Sequence, residues 1–364
     1  PRIRIRGTGS LSVNNDPLLV IDGVRVENST AAAGGLGQTT GRLNDVSLEE
    51  IESIEIVKGP SAATLYGTDA ANGVIVIRTK QGRVGAARMN VHLETGTVQQ
   101  RTQFPDNYFS WGHNTQTGAV QQCVIRQAAA QTCAIDSLTT MNPLMNDETS
   151  PFSLGNHRQI GAQLSGGTGP LTYMLSGELA TEVGYLEMPK EERIRAEELS
   201  GRITPAEQRW PNRQHKLNLR SNEAAKLGQN NDISVSLGMV KSNTSTPGNV
   251  IFQSGIWGLG HPDATNGWRY GPPGDIFAVR NIENVTHYLG STSLISRPLG
   301  WLSTRATIGL DFSSTFLDGQ QRAGEGPATR RDGRRTNSRA AIALYSADLG
   351  ASAAANNLNQ AVHV

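Results

Sequence analysis

The sequence predicts two unlike parts: a small mixed α/β domain over residues 1–82, followed over 83–364 by antiparallel strands of the transmembrane β-barrel kind. Three observations predict this. Leu48–Lys80 holds two strand-like runs, Ser53–Lys58 and Val74–Lys80, around a Gly/Pro-punctuated segment with room for one small helix. After Gly82 the residues alternate between apolar and polar, the period of a strand with two different faces. Tight turns at one end of these strands answer long connections at the other, at about 100–156 and 243–298.

Composition agrees with strands and turns. The 364 residues include 40 glycines, only 5 % are aromatic, and runs of helix formers are scarce. The formal net charge is +1 with no long basic block, which argues against a nucleic-acid partner. No 18-residue apolar run offers a membrane-spanning helix. That leaves a barrel open, because barrel strands span with roughly 10 alternating residues.

In order, Ile3–Arg6 alternates as a strand, and Gly7–Asn15 is a polar loop. Pro17 introduces Leu18–Ile21, an apolar run read as a buried strand. Asp22-Gly23 is a tight turn of type I′ character, and Val24–Val26 is the returning strand. Ser47 and Glu50 have capping-box spacing for about one helical turn before Ile54. From there Ile54 and Ile56 share one strand face, opposite Glu55 and Val57. Gly59-Pro60 ends that strand, and Ser61 caps a short helix, Ala62–Tyr66, closed by Gly67. Asn72-Gly73 turns the chain into Val74–Ile77, apolar on both faces and therefore central.

Beyond Gly82, Met89, Val91 and Leu93 alternate with polar residues. Residues 100–156 show no sustained period and read as a long loop or fragments of structure. The stretches 159–165 and 171–181 form a hairpin around Gly166–Pro170. A second hairpin joins Leu217 and Leu219 to Ile233–Met239, turning near Leu227–Asn231. Thr304–Phe312 is a further strand, and Ala340, Ile342 and Leu344 begin a last one. A water-soluble antiparallel sandwich shares this alternation. The polar faces carry Glu178, Lys216, Arg220, Asp232, Arg305 and Asp311, which suit either bulk water or a wet barrel lumen. The asymmetry of loop length favours the barrel, where an Arg facing mid-membrane lipid costs about 2–4 kcal/mol.

Asp16–Val24, Ile51–Ala63 with Leu65-Tyr66-Gly67, and Ala70–Ile77 with Thr79-Lys80 resemble the plug domain of SusC/RagA-type TonB-dependent outer-membrane receptors. Ile5–Ser10 fits the same pattern, and Gly166-Gly167, Tyr173, Ser176-Gly177 and Gly184 resemble that family's early barrel hairpins. At Lys58-Gly59-Pro60 the sequence is closer to the wider TonB-dependent receptors than to the SusC branch. The resemblance implies a plug inside a barrel of about 22 strands. Only roughly six to eight strands are legible after the plug, so the chain reads as a piece of a longer receptor.

What the resemblance implies for function is energised import, not catalysis. Substrate enters from outside, the plug signals to the TonB protein, and force opens a path; a SusD-like surface lipoprotein lids the receptor, and outer-membrane lipid surrounds it. Oligosaccharides or peptides are the implied nutrients. The plug-motif residues are Asp16, Pro17, Asp22, Gly23, Glu52, Glu55, Lys58, Gly59, Pro60, Tyr66, Gly67, Asn72, Gly73, Thr79 and Lys80. They specify the plug fold or its gating. Lys58, Arg78 and Lys80 can pair with acids of the inner wall, or stand as ordinary solvated charges. Tyr108, Trp111, Trp257 and Trp268 lie in the long loops, where their rings can stack on substrate or anchor the loops. Cys123 and Cys133 suit a local disulfide in an oxidising compartment, or two free thiols.

Enzyme signals are weak. Gly7-Thr8-Gly9 lacks the full dinucleotide fingerprint, and Gly34-Gly35-Leu36-Gly37 lacks the Lys-Ser/Thr pair of a phosphate loop. Asp16, Asp22 and Asp45 are scattered turn residues; no cofactor or metal is expected. The rival class is a non-transport binding or adhesion protein.

Overall fold

The computed structural model describes residues 5, 16–26, 46–58, 62, 66–247, 250–262, 265–327 and 331–354. The expected strand Ile3–Arg6 apart from Ile5, the Gly7–Asn15 loop, Gly59, Pro60 and most of the Ala62–Tyr66 helix lie outside them.

The first part is a four-stranded mixed sheet of β1 (Leu18–Ile21), β2 (Val24–Val26), β3 (Ile51–Val57) and β4 (Val74–Thr79) in the order β2-β1-β4-β3. The apolar β4 is interior, parallel to β1 and antiparallel to β3. Its alternation feeds two layers: Ile75 and Ile77 pack with Leu19, Ile21, Val24 and Val26, while Val74 and Val76 pack with Val20, Ala62 and Ala70. Asp22 and Gly23 both have positive φ, 49° and 85°, the pair a type I′ turn demands, and Ile21 stands opposite Val24. Ser47 caps a 3-10 turn, Leu48–Glu50, by accepting from the Glu49 amide. Strand β3 starts at Ile51, two residues before the expected run Ser53–Lys58, because this turn is a single tight one. As the sheet's edge, β3 leaves Ile54 and Ile56 about half exposed.

The second part is an eight-stranded antiparallel sheet with strictly sequential neighbours apart from its first strand. Strand β5 (Gly85–Val98) pairs with β9 (Gly155–Gly167), which continues through β10 (Leu171–Val183), β11 (Arg213–Leu227), β12 (Asn231–Pro247), β13 (Arg280–Leu299), β14 (Leu302–Gln321) and β15 (Arg334–Ala353). Short turns at 168–170, 228–230 and 300–301 lie at one end, and the long connections at the other. At Gly82, where the chain passes between the two parts, a Cβ would fall on the Tyr173 backbone of β10. Glycine is required there for that approach.

Two loop expectations change. Within 100–156 the structure holds a second small sheet, β6 (Asn107–Asn114), β7 (Val120–Gln122) and β8 (Cys133–Met141), in the order β7-β6-β8. Its strands are short and a register shift falls between Trp111 and Gly112, so no lasting period was visible. A Cys123–Cys133 disulfide ties β7 to β8. The stretch 243–298 is mostly strand at its ends: β12 runs to Pro247 and β13 begins at Arg280. Ser242–Thr246 is polar on both faces, which erased the alternation there.

Candidate functional site

The eight-stranded sheet is inside out for a water-soluble protein. Two successive outward rows of paired residues carry no charge: Val91, Ala162, Gly177, Leu219, Met239, Tyr288, Phe312, Ala343, and Met89, Leu164, Leu175, Ser221, Leu237, Gly290, Leu310, Tyr345. Large members stay exposed: Val91 at 62 % and Tyr345 at 82 %. Most of the buried residues of the same strands are polar, including Glu178, Asn218, Arg220, Asn222, His287 and Asp311, beside a few apolar ones such as Met174 and Leu289. Charge is covered and hydrocarbon is bare, the arrangement a lipid-facing wall around a wet interior requires.

What covers the charge is the small domain. The I′ turn of β1–β2 presents Asp22, and the 3-10 turn presents Glu50, to Arg220 on β11. Arg220 Nε donates to Glu50 Oε2 at 2.9 Å, and Nη1 to Asp22 Oδ2 at 3.4 Å. Ser176 Oγ donates to Glu50 Oε1 at 2.8 Å, and Ser236 Oγ to Asp22 Oδ2 at 3.1 Å. Within the small domain, Asp22 also accepts from the Thr79 amide at 2.9 Å and the Thr79 hydroxyl at 2.7 Å. Asn222 Nδ2 reaches Thr79 Oγ1 at 2.8 Å and the Lys80 carbonyl at 2.7 Å.

A second cluster centres on Glu178 of β10. It accepts from Ser47 Oγ at 2.6 Å, Gln159 Nε2 at 2.9 Å and Asn218 Nδ2 at 3.2 Å. His92 Nε2 stands 3.7 Å away. The apolar part of the seam is small: Leu289 of β13 joins the core of Leu19, Ile21 and Val24, and Val24 packs where Gly309 leaves room. Deeper along the wall, His287 Nε2 meets Asp311 Oδ1 at 2.5 Å. The seam holds two bodies together through desolvated charge. Among the described residues no group of His, Cys, Asp or Glu has the arrangement of a metal site.

Among the described residues the seam has a definite polarity. Lys58 and Arg78 are exposed, and Lys80 engages the wall through its carbonyl. The small domain supplies acids and the wall supplies the cation. Of the other motif residues, Asp16, Pro17, Gly73 and Thr79 are buried, Tyr66 and Asn72 half-buried, and Gly67, Glu52 and Glu55 exposed. Tyr66 offers its carbonyl to Arg25. Sequence reading placed Glu178 and Arg220 on a polar strand face but gave them no partner. It also missed Ser47, Glu50, Ser176, Asn222 and Ser236 as wall contacts. The only available signal was that a charged residue repeated on one face of successive strands.

The long connections share a core of their own. Leu144, Leu186, Met188, Ile251, Trp268, Ile276 and Phe277 pack together, flanked by Phe104, Phe152 and Phe252. Trp268 is 1 % exposed in it, so the expectation of a substrate-facing ring fails for this residue. Tyr108 and Trp257 are open, at 69 % and 55 %, and Trp111 is half-buried against Phe109 and His261, with centroids 4.7 and 5.2 Å away. Arg195 bridges Glu192 at 2.8 Å and Asp275 at 2.9 Å. Burial pulls its pKa down, but the hydrogen bonds and charges of Glu192 and Asp275 outweigh that and hold it above the ordinary value.

Residues 1–74 match the family model described as the TonB-dependent receptor plug domain. Over 86 residues the chain is 45 % identical to the TonB-dependent receptor SusC of Bacteroides thetaiotaomicron, a match covering 24 % of this chain and 8 % of that protein. The chain belongs to the SusC/RagA-type TonB-dependent receptor family. The small domain is therefore its plug, and the eight-stranded sheet a part of its barrel wall. The vitamin B12 transporter BtuB of Vibrio vulnificus is 40 % identical over 77 residues, 21 % of this chain and 11 % of that one. The RagAB peptide importer in its closed-closed state shares the fold, with a TM-score of 0.65 at 16 % identity over 96 % of this chain and 40 % of the RagAB chain. The chain thus spans well under half the length of these relatives.

Proposed function

We propose that this protein is the plug and early wall of a TonB-dependent importer in the bacterial outer membrane, with the plug, residues 1–82, facing the periplasm and the wall, 83–364, crossing the bilayer. The observation that carries the reading is the buried Asp22–Arg220–Glu50 junction between a self-contained plug and a lipid-facing wall. A plug seated by hydrogen-bonded charge is closed at rest and separable under load. TonB supplies the load from the periplasm, and a SusD-like surface lipoprotein lids the loop side. The cargo is a nutrient of the oligosaccharide or peptide class; the likeness in fold to a peptide importer supports the peptide member of that class. Exposed Tyr108 and Trp257, and half-buried Trp111, all in the loop layer, are its proposed contacts. The motif residues Asp22, Gly23, Thr79 and Lys80 act in seating the plug.

The test is a tether across the seam. Glu50→Cys and Ser176→Cys in the full-length receptor, bridged by a short bis-maleimide, should abolish uptake of the cargo while surface binding persists. Uptake that survives bridging, or that is indifferent to removal of TonB, would refute gating by this plug. A binding or adhesion protein would retain its whole activity in both conditions.

A further inference from the structure

We infer that the loop-side margin of the outward wall face is a docking site for the phosphate headgroups of a phosphorylated lipid. The inference rests on the outer-membrane reading above. One paired row runs Thr95, Arg158, Thr181, His215, Asn243, Asn284, Phe316, Arg339, just loop-ward of the uncharged band. Its parity is that of Ile160, Leu217 and Tyr288, so it faces outward. Lys241 stands opposite Leu217, one outward position nearer the turns and diagonal to His215. Arg158, His215 and Lys241 are all exposed. Adjacent strands lie about 4.8 Å apart, so Arg158 and His215, two strands apart in one row, are separated by roughly 10 Å.

The neighbouring acids do not neutralise this group. Glu178 and Glu182 of β10 have inward parity; Glu178 is spent on Ser47, and Glu182 faces His157 at 3.5 Å. Asp318 has outward parity but is clasped by Arg335 through two bonds of 3.1 Å. At the turn end of the same face the outward charge is of opposite sign: Glu223 accepts from Ser221. A wall with donors at one margin and an acid at the other fits leaflets of unequal charge. Long basic side chains at the edge of hydrocarbon extend into the headgroup layer. There the Arg158 fork takes two phosphate oxygens, while Lys241 and the His215 ring N–H each supply a point donor.

The full-length receptor is reconstituted into phosphatidylcholine nanodiscs containing a fixed fraction of bis-phosphorylated lipid A, or of the same lipid after phosphatase treatment, and retained glycolipid is quantified by native mass spectrometry. Wild type should retain the phosphorylated form roughly tenfold over the dephosphorylated form, as charge-assisted donors require. The R158Q/H215Q/K241Q variant should lose most of that preference, and T181Q/N243Q, in the same row, should keep it. Equal retention of both lipids by wild type, or an undiminished preference in the triple variant, overturns the site while leaving the importer intact. A receptor that refuses the bilayer overturns the outer-membrane reading and the site with it.

Discussion

Replacing Arg220 by Met tests the seam at its most exposed point of logic. The substitution keeps the bulk of the stem and deletes the donors to Glu50 and Asp22. The side chains involved are nearly dry: 5 % exposed for Arg220, 6 % for Glu50 and 11 % for Asp22. Removing one partner of such a set strands the others, a loss of about 3–5 kcal/mol. Ser176, Ser236 and Thr79 still donate to the two carboxylates, which argues for the lower end. About 3 kcal/mol is roughly a hundredfold rise in the displaced plug population. Hydrogen exchange of the Val74–Thr79 and Leu18–Ile21 amides, compared with wall amides, measures seating and core separately. Seating should weaken by that factor. Adding Glu50→Gln should recover part of the loss, with a coupling of about 1 kcal/mol or more. A change below about 0.5 kcal/mol would place Arg220 with exposed surface pairs and refute a desolvated seam.

Three further outcomes follow from other parts of the chain. Phe277→Ala, in the core shared by the long connections, should cost about 3–5 kcal/mol locally and open those loops to limited proteolysis while β9–β14 stay protected. Gly23→Ala places a Cβ at φ 85°, and should destabilise the turn by about 1 kcal/mol, read as faster exchange of the Val24 and Val26 amides. Removing both Cys123 and Cys133 as alanines releases a sequence separation of 10, worth about 3 kcal/mol of chain entropy, and should loosen β6–β8 alone by proteolysis.

The fold was legible where one side of a strand had to differ from the other. Leu18–Ile21 and Val74–Ile77 are apolar on both sides because each feeds two layers, and that is visible without coordinates. The tight turns at 168–170 and 228–230 follow the alternation that brackets them, whereas 300–301 was hidden because β13 falls almost wholly inside the expected 243–298 loop. Residues 107–141 escaped because an eight-residue strand, a three-residue strand and a register shift leave too few repeats to count. The seam escaped for a different reason. Period two says that Arg220 and Glu178 share an inward face, but the partners Glu50 and Ser47 lie 170 and 131 residues away. Only the fold brings them together. The sign of the pairing was equally hidden, since Lys58, Arg78 and Lys80 sit in the same motif as Glu50 and Asp22, and nothing local says which set turns toward the wall.

The balance of the seam decides how the plug parts from the wall. One of its two apolar layers, Val20, Ala62, Ala70, Val74 and Val76, includes no wall residue. The other includes Leu289 alone, and burying a Leu contributes at most about 1.5–3 kcal/mol. Most of the other described contacts across the seam are polar, and each neutral hydrogen bond is worth only about 0.5–1.5 kcal/mol net because water replaces it when the surfaces separate. The plug core gains no such replacement when it opens, since water does not solvate Ile75 or Val76. Parting the seam is therefore the softer mode, and the plug should move as a folded body first. Pulling on the plug from its N-terminal side by single-molecule force spectroscopy should give an early rupture that Arg220→Met weakens and a later one that it does not. A single event in which the sheet β2-β1-β4-β3 unravels as the seam breaks would contradict this order.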